Sequence, residues 1–270
     1  MNSQAIGIAA IIFYLLAAAR ITMALLRTQD FSGRCKLTAL SLGTLALIFH
    51  AATLYPVILA GGGINLGVFN AGSLVAWIIV VFILIGSLRQ PVQNLAIVIM
   101  PLAALCITLD LVFPSHLIIP VSASPGLQMH ILFSVLAYSI LTIAALQALV
   151  LALEEHLLRQ KRILPVLHFL PPLQNMEVLL FRLIGTGFVL LTVSMISGSL
   201  YIEDLFAQHL IHKTVLSSVA WLVFAVLLWG RWRRGWRGRL AVRYTLTGCI
   251  LLMLAYFGTK VVLELILHRV

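Results

Sequence analysis

The chain has 270 residues, of which 62% are hydrophobic and only 10% charged, and its mean hydropathy is +1.11. A domain with a water-exposed polar surface cannot carry so apolar a composition, which excludes a soluble protein. In a membrane protein, a formal net charge of +10 is more often an orientation signal than a sign of nucleic-acid binding, and the distribution of the basic residues decides between the two.

Eight apolar runs follow one another along the chain, each about as long as the 20 residues that a helix needs to cross a bilayer. They are too long for strands, and segments of alternating polarity typical of membrane barrels are absent from the sequence. We predict an all-α, polytopic transmembrane helical bundle, a single integral membrane domain over 1–270. Its eight helices are expected at about 5–26, 37–57, 67–88, 93–113, 128–153, 177–198, 213–230 and 242–267.

Basic residues concentrate in alternate loops of this prediction. The basic set comprises Arg27, Arg34, Lys36, Arg89, Arg159, Lys161, Arg162, Arg231, Arg233, Arg234, Arg237, Arg239 and Arg243. The other loops, around 58–66, 114–127 and 199–212, contain no Lys or Arg. By the positive-inside rule the basic loops face the cytoplasm, so we predict an N-out/C-out topology.

Motifs for covalent catalysis are missing from the sequence. There is no nucleophile elbow, phosphate loop or H-E-x-x-H motif. Cys35, Cys106 and Cys249 are scattered without C-x-x-C spacing, which gives no redox centre. A solute transporter would show paired broken helices, of which Pro101 alone is a weak sign. We therefore predict that the protein is not an enzyme.

Histidines are the residues that stand out in the predicted topology. Six of the eight lie towards the outer side, namely His50, His116, His130, His209, His212 and His268. Imidazole is a common ligand of metals and haem iron. For any one of these residues, a hydrogen bond to a neighbouring helix or an interfacial position is the commoner role.

His130 opens the fifth predicted helix, and Ser134 and Tyr138 follow at i+4 and i+8. The three side chains share one helical face, which we expect to point into the bundle. His50 lies about two-thirds of the way outward along the second helix. It could contact a cargo or bond a neighbouring helix, and the sequence leaves both alternatives open.

His268 closes the last predicted helix, with Glu264 and Lys260 at i−4 and i−8. Ionisable residues inside a membrane are expensive and are functional candidates by default. Glu264 could orient His268 or pair with Lys260. Because His130 and His268 lie at matching outer depth, the two could hold a haem if their helices are neighbours.

Several stretches resemble a known family in order and approximate spacing. They are L-Q-M-H-I-L-F-S-V-L-A-Y (127–138), F-R-L-I-G-T-G-F-V-L-L-T (181–192) with I-S-G (196–198), H-K-T (212–214), W-R-G (236–238) and Y-F-G (256–258). Over roughly 40–270 the chain resembles the cytochrome c assembly family of CcsA-like membrane proteins, most closely its shorter HemX/YpjD-type branch.

The resemblance implies haem as the bound cofactor, with His130 and His268 as axial ligands of its iron. Glu264 and Tyr138 are expected to support these two residues from the same helices. His50 and His212 are weaker candidates for an extra ligand, because neither matches a ligand position of the family.

The chain also departs from the family pattern. The segment 199–212 has no tryptophan where the family has a tryptophan-rich outer loop that presents haem, and Trp229 replaces an intramembrane histidine. Two functions follow. One is a haem-binding protein of the cytochrome c assembly type in the bacterial cytoplasmic (inner) membrane, which contacts lipids, haem and other assembly or membrane proteins but not nucleic acid. The alternative is a non-catalytic membrane regulatory or interaction subunit that has lost haem presentation.

Overall fold

The computed structural model describes residues 3–26, 33–58, 63–89, 92–113, 118–120, 125–160, 171–201 and 208–258. These residues form α1 (Ser3–Leu26), α2 (Gly33–Ile58), β1 (Gly63–Asn65), α3 (Val68–Arg89), α4 (Gln93–Val112), β2 (Ile118–Pro120), α5 (Pro125–Arg159), α6 (Leu173–Tyr201), α7 (Gln208–Arg234) and α8 (Arg239–Met253), which a π-helical turn (Leu254–Gly258) continues. Among the described residues, eight helices are long and apolar enough to cross a membrane, which confirms the predicted helical class and number.

The helices lie where they were predicted, but several of them begin and end at other residues. Helices α5, α6 and α7 extend past both predicted ends, by up to six residues. Hydropathy detects only the part of a helix that lies in hydrocarbon, whereas the polar turns beyond it also keep helical hydrogen bonds. The predicted end of the last helix, 267, lies outside the described residues.

The helices divide into two compact units, one with α1–α4 and one with α5–α8. We call them the first and second helix groups. The prediction of a single domain stays a prediction.

In the first helix group, α1 packs against α2 and α4 through a stripe of mostly small residues. Ala10, Tyr14, Ala17, Ile21 and Ala24 are all buried, and their spacing alternates between four and three residues. This spacing keeps one face of a helix towards its neighbours. Small side chains let membrane helices approach closely, and the resulting van der Waals contacts stabilise the packing between helices.

Two short strands pair with each other in the first helix group, one before α3 and one after α4. Strands β1 and β2 pair antiparallel, with Ile64 opposite Ile119. The loops that precede α3 and follow α4 therefore meet at the same end of this group, as expected for two loops without basic residues. The strand pair itself was not predicted from the sequence.

In the second helix group, glycines mark the close helix contacts. A Cβ at Gly187 would lie 2.6 Å from the Leu141 side chain, and one at Gly248 would lie 2.6 Å from the Phe224 ring. Polar groups between helices are also paired: the Trp221 indole N–H donates to Thr192 Oγ1 at 2.9 Å. Such pairing satisfies donors that lipid cannot.

One end of the second helix group, which we call the arginine end, is made by the last turn of α7, the first turn of α8 and the adjoining ends of α5 and α6. The run 231–243 was predicted as a loop, but most of it is helical and only residues 235–238 connect the helices. Gly235 and Gly238 have φ of 63° and 60°, a conformation that glycine adopts most easily.

Two glutamates anchor the arginine end. Glu177 Oε1 accepts the backbone N–H of Gly238 at 2.8 Å. Glu155 Oε1 lies 2.7 Å from Arg159 and 3.3 Å from Arg239. The carboxylates thus fix the turn between α7 and α8 against the neighbouring helices.

Candidate functional site

His130 lies near the beginning of α5, at the end of the second helix group opposite the arginine end. Its Nδ1 is 2.8 Å from the backbone carbonyl oxygen of Ser194 on α6. A carbonyl oxygen can only accept, so the Nδ1–H of the imidazole is the donor. In the neutral ring this leaves the lone pair on Nε2.

Among the residues that the structure describes, the Nε2 atom of His130 has only a long polar contact. Ser134 Oγ lies 3.5 Å away, at the outer limit of a hydrogen bond. The Ser134 hydroxyl is instead 2.6 Å from the Ser194 hydroxyl. Histidines that bind metals have the same arrangement, with one nitrogen anchored to a carbonyl or carboxylate and the other free to ligate.

A glycine on α6 makes room for the His130 ring. A Cβ at Gly198 would lie 3.0 Å from both Cε1 and Nδ1 of the imidazole, so the ring rests directly on this helix. Sequence reasoning did not single out Ser194 or Gly198 as partners of His130. Their spacing of four residues, which places two small residues on one face of α6, is the signal that could have found them.

Tyr138 lies two turns further along α5 and contacts α8. Its hydroxyl donates to the carbonyl oxygen of Leu252 at 2.5 Å, and its ring centroid is 5.6 Å from that of Tyr256 in the π-helical turn. The predicted polar face of α5 therefore points to other helices of its group. His130 and Tyr138 bond to different helices, and the supporting role of Tyr138 stays a prediction.

Lys213 brings a positive charge to the same end. Its Nζ lies 5.2 Å from the centroid of the Tyr256 ring, and Tyr256 lies against Tyr138, which is on the same helix as His130. Four helical segments therefore contribute to one place, which we call the histidine end: His130 from α5, Gly198 from α6, Lys213 from α7 and Tyr256 from the π-helical turn.

His50 belongs to the first helix group and is fully buried, with 0% of its surface exposed. Its Nδ1 is 3.2 Å from the Tyr14 hydroxyl on α1, and its Nε2 is 3.0 Å from the Ser73 hydroxyl on α3. Ser73 is in turn hydrogen-bonded to Asp110 on α4. Both ring nitrogens are thus occupied, and the residue joins helices of the first group.

The remaining histidine candidates are not brought into this site by the described part of the chain. His212 lies on α7 with an exposed side chain. His268, its companions Glu264 and Lys260, and His116 lie outside the described residues, and for His209 only the backbone is described. Within the described ranges, no group of three or more His, Cys, Asp or Glu side chains could hold a metal ion.

Comparison with known proteins supplies the family. Residues 39–267 match the model of a family described as Cytochrome C assembly protein. The chain belongs to this family. Inner membrane protein YpjD of Escherichia coli K12 is 37% identical over 259 residues, which cover 95% of this chain and 97% of that protein.

More distant relatives match in part. Cytochrome c biogenesis protein CcsA of Chlamydomonas reinhardtii is 26% identical over 54% of this chain and 41% of its own length. CcsA of Nostoc punctiforme is 30% identical over 32% of this chain and 25% of its own length. No solved structure matches the chain significantly.

These relatives confirm the resemblance to CcsA-like proteins and the YpjD branch. Together with the eight helices of membrane-spanning length in the described part of the chain, they confirm the predicted localisation as a multi-pass inner membrane protein. Family membership also supports a role in cytochrome c biogenesis.

Proposed function

We propose that this protein binds haem at the histidine end of its second helix group and holds it for cytochrome c assembly. His130 and His268 are the residues that would hold its iron. The observation that carries the proposal is the His130 imidazole, whose Nδ1 is anchored by the Ser194 carbonyl while Nε2 has no short hydrogen bond to any residue that the structure describes.

The donor chemistry of this site fits haem. When bound, haem supplies an iron that takes an imidazole nitrogen as axial ligand. The bond to Ser194 fixes the ring orientation and the tautomer that such a ligand needs. Gly198 lets the ring lie against α6, and the apolar helices around it favour a largely hydrophobic porphyrin.

The protein acts as a carrier and not as an enzyme. Its contribution is to bind haem, to orient it and to keep it near the outer, periplasmic face of the membrane. In the N-out/C-out topology the arginine end faces the cytoplasm, as the positive-inside rule requires. The lipids and the other membrane proteins of cytochrome assembly are its partners.

Reporter fusions test this topology. A periplasm-specific reporter placed after Val270 is expected to be active, and one placed at Arg237 between α7 and α8 is expected to be inactive. A cytoplasm-specific reporter at the same two sites gives the reciprocal control. The reverse pattern would place His268 in the cytoplasm and remove the outer site.

The visible absorption spectrum tests the ligands. We expect the full-length protein in detergent to bind added haemin with the spectrum of a low-spin, bis-histidine haem. His130→Ala and His268→Ala should each lose this spectrum, whereas His212→Ala, which alters an exposed histidine on α7, should keep it. Absence of a haem spectrum after haemin is supplied would contradict the proposal.

A second candidate function is a membrane regulatory or interaction subunit that keeps the fold but does not present haem. It is favoured by the segment 199–212, which contains no tryptophan. If this second function is correct, His130→Ala should leave the biological activity of the protein unchanged. If the protein binds haem for cytochrome c assembly, His130→Ala should prevent cytochrome c maturation in a strain that depends on this protein.

A further inference from the structure

We propose that Lys213 recognises the haem by pairing with a propionate carboxylate, which makes it the anion-binding residue of the histidine end. This inference rests on the proposed haem-binding function and deepens it. Haem carries two negatively charged propionates at one edge, so a cation beside an axial ligand distinguishes that edge from the apolar remainder of the ring.

Lys213 on α7 lies at about the same height along the helix bundle as Gly198 on α6, the residue on which the His130 ring rests. Helices α6 and α7 run antiparallel, and the hydrogen bond between Trp221 and Thr192 fixes their alignment. Eight residues back from Trp221 is Lys213, and eight residues forward from Thr192 is Leu200. Lys213 therefore lies within two residues of the level of Gly198, on which the His130 ring rests.

The Tyr256 ring holds the ammonium at this level. Lys213 Nζ is 5.2 Å from the ring centroid, within the range of a cation–π contact. The π-helical turn that carries Tyr256 is the kind of local irregularity that is frequent at functional sites. The lysine is thus positioned at the histidine end instead of extending freely into the headgroup region.

The charge of Lys213 has no carboxylate partner among the residues that the structure describes. In the described part of the second helix group the carboxylates are Glu154, Glu155 and Glu177, and they lie towards the arginine end of α5 and α6. A partly buried cation without an anion is costly in a membrane. A propionate supplies that anion, and a charge-assisted hydrogen bond to it is among the stronger ones.

Two contacts of different chemistry would then fix the haem. The His130 nitrogen fixes the iron, and Lys213 fixes one edge of the ring. Without the lysine, the bonds from histidine to the iron would leave the ring free to rotate about the iron–nitrogen axis. Lys213 is therefore a specificity-determining residue of the site.

Paired titrations test the inference. Haemin and haemin dimethyl ester, in which both propionates are neutral esters, are titrated into full-length protein in the same detergent. The wild type is expected to bind haemin about 10-fold more tightly than the ester, which corresponds to about 1.4 kcal/mol. Lys213→Gln should lose this preference, and Lys213→Arg should retain most of it. The ratio of the two affinities, compared between variants, cancels differences in detergent partitioning.

Lys36→Gln is the matched control, because it removes the same charge from α2 in the first helix group and should keep the preference. Lys213→Met gives a second neutral variant of similar length if Lys213→Gln does not fold. Equal binding of haemin and ester by the wild type, or an unchanged preference in the neutral Lys213 variants, would overturn the inference while a His130-dependent spectrum leaves the haem function standing. If neither compound gives a His130-dependent spectrum, both proposals fail.

Discussion

His50 and His130 are two histidines on membrane helices with opposite surroundings. His50 is fully buried in the first helix group, and hydroxyl groups of Tyr14 and Ser73 occupy both of its nitrogens. His130 is half-buried in the second group, and within the described ranges only one of its nitrogens has a short hydrogen bond, to the Ser194 carbonyl.

The comparison shows that the second nitrogen decides what an intramembrane histidine can do. A ring bonded at both ends cross-links helices and satisfies groups that lipid would leave unpaired. A ring that is hydrogen-bonded through one nitrogen keeps a lone pair on the other nitrogen, which can bind a metal ion or a haem iron. The predictions below separate these two roles.

The largest expected effect is on haem affinity. His130→Ala should weaken haemin binding by at least about 100-fold, since loss of a ligand exceeds the 10- to 100-fold cost of disturbing the residues that orient one. His50→Ala should change it by less than about 3-fold. Absorption titrations measure both, and a larger loss for His50→Ala would show that the wrong histidine has been assigned to the haem.

Stability should show the reverse order. His50→Ala removes the hydrogen-bond partner of the buried Tyr14 hydroxyl, at a cost of about 1–3 kcal/mol for a buried group left unsatisfied. Ser73 loses its bond to the imidazole but keeps its bond to Asp110. His130→Ala should cost less, because its ring is only half-buried. Thermal unfolding of the haem-free variants in one detergent measures the difference.

His50→Gln, which keeps hydrogen-bonding groups at this position, is the control for that comparison and should be less destabilised than His50→Ala. Equal unfolding temperatures for His50→Ala and the wild type would mean that the Tyr14–His50–Ser73 chain does not stabilise the first helix group.

A smaller effect is expected where the His130 ring rests on α6. The added methyl group of Gly198→Ala would lie 3.0 Å from the ring, so the imidazole must shift and haemin affinity should fall about 10-fold. Gly185→Ala on the same helix meets nothing within 4 Å and serves as the control. If both substitutions had the same effect, the change would reflect the helix and not the ring position.

The smallest expected effect concerns Ser134. Its hydroxyl is 3.5 Å from His130 Nε2 but 2.6 Å from the Ser194 hydroxyl. Ser134→Ala should therefore change haemin affinity by about 2-fold or less, within the small net value of one hydrogen bond. A loss as large as that of Gly198→Ala would indicate that Ser134 holds the ring in place.

The number and order of the helices could be predicted because hydrophobic length is a property of local sequence. The helix ends could not, as the run 231–243 shows. There the arginines continue α7 and begin α8, and two glycines in a left-handed conformation make the turn. Charge indicates that a segment leaves the hydrocarbon, but it does not end the helix.

The candidate site was predictable only in part. His130 could be selected from its position at the start of a helix, and Ser134 on the same helix from its spacing of four. Ser194 and Gly198 required knowledge of which helix packs against α5, as Tyr14 and Ser73 did for His50. These are contacts between residues distant in the chain, and apolar periodicity carries no information about which helices are neighbours.

The strand pair of the first helix group bears on how the chain inserts. Asn65 pairs with Ile118, and both α3 and α4 lie between them, so the strands can meet only after the chain has crossed the bilayer and returned. If either helix failed to insert, the two strands would stand on opposite sides of the membrane. Pairing between such distant residues is slow to form, and here it is incompatible with a chain in which only one of the two helices has inserted.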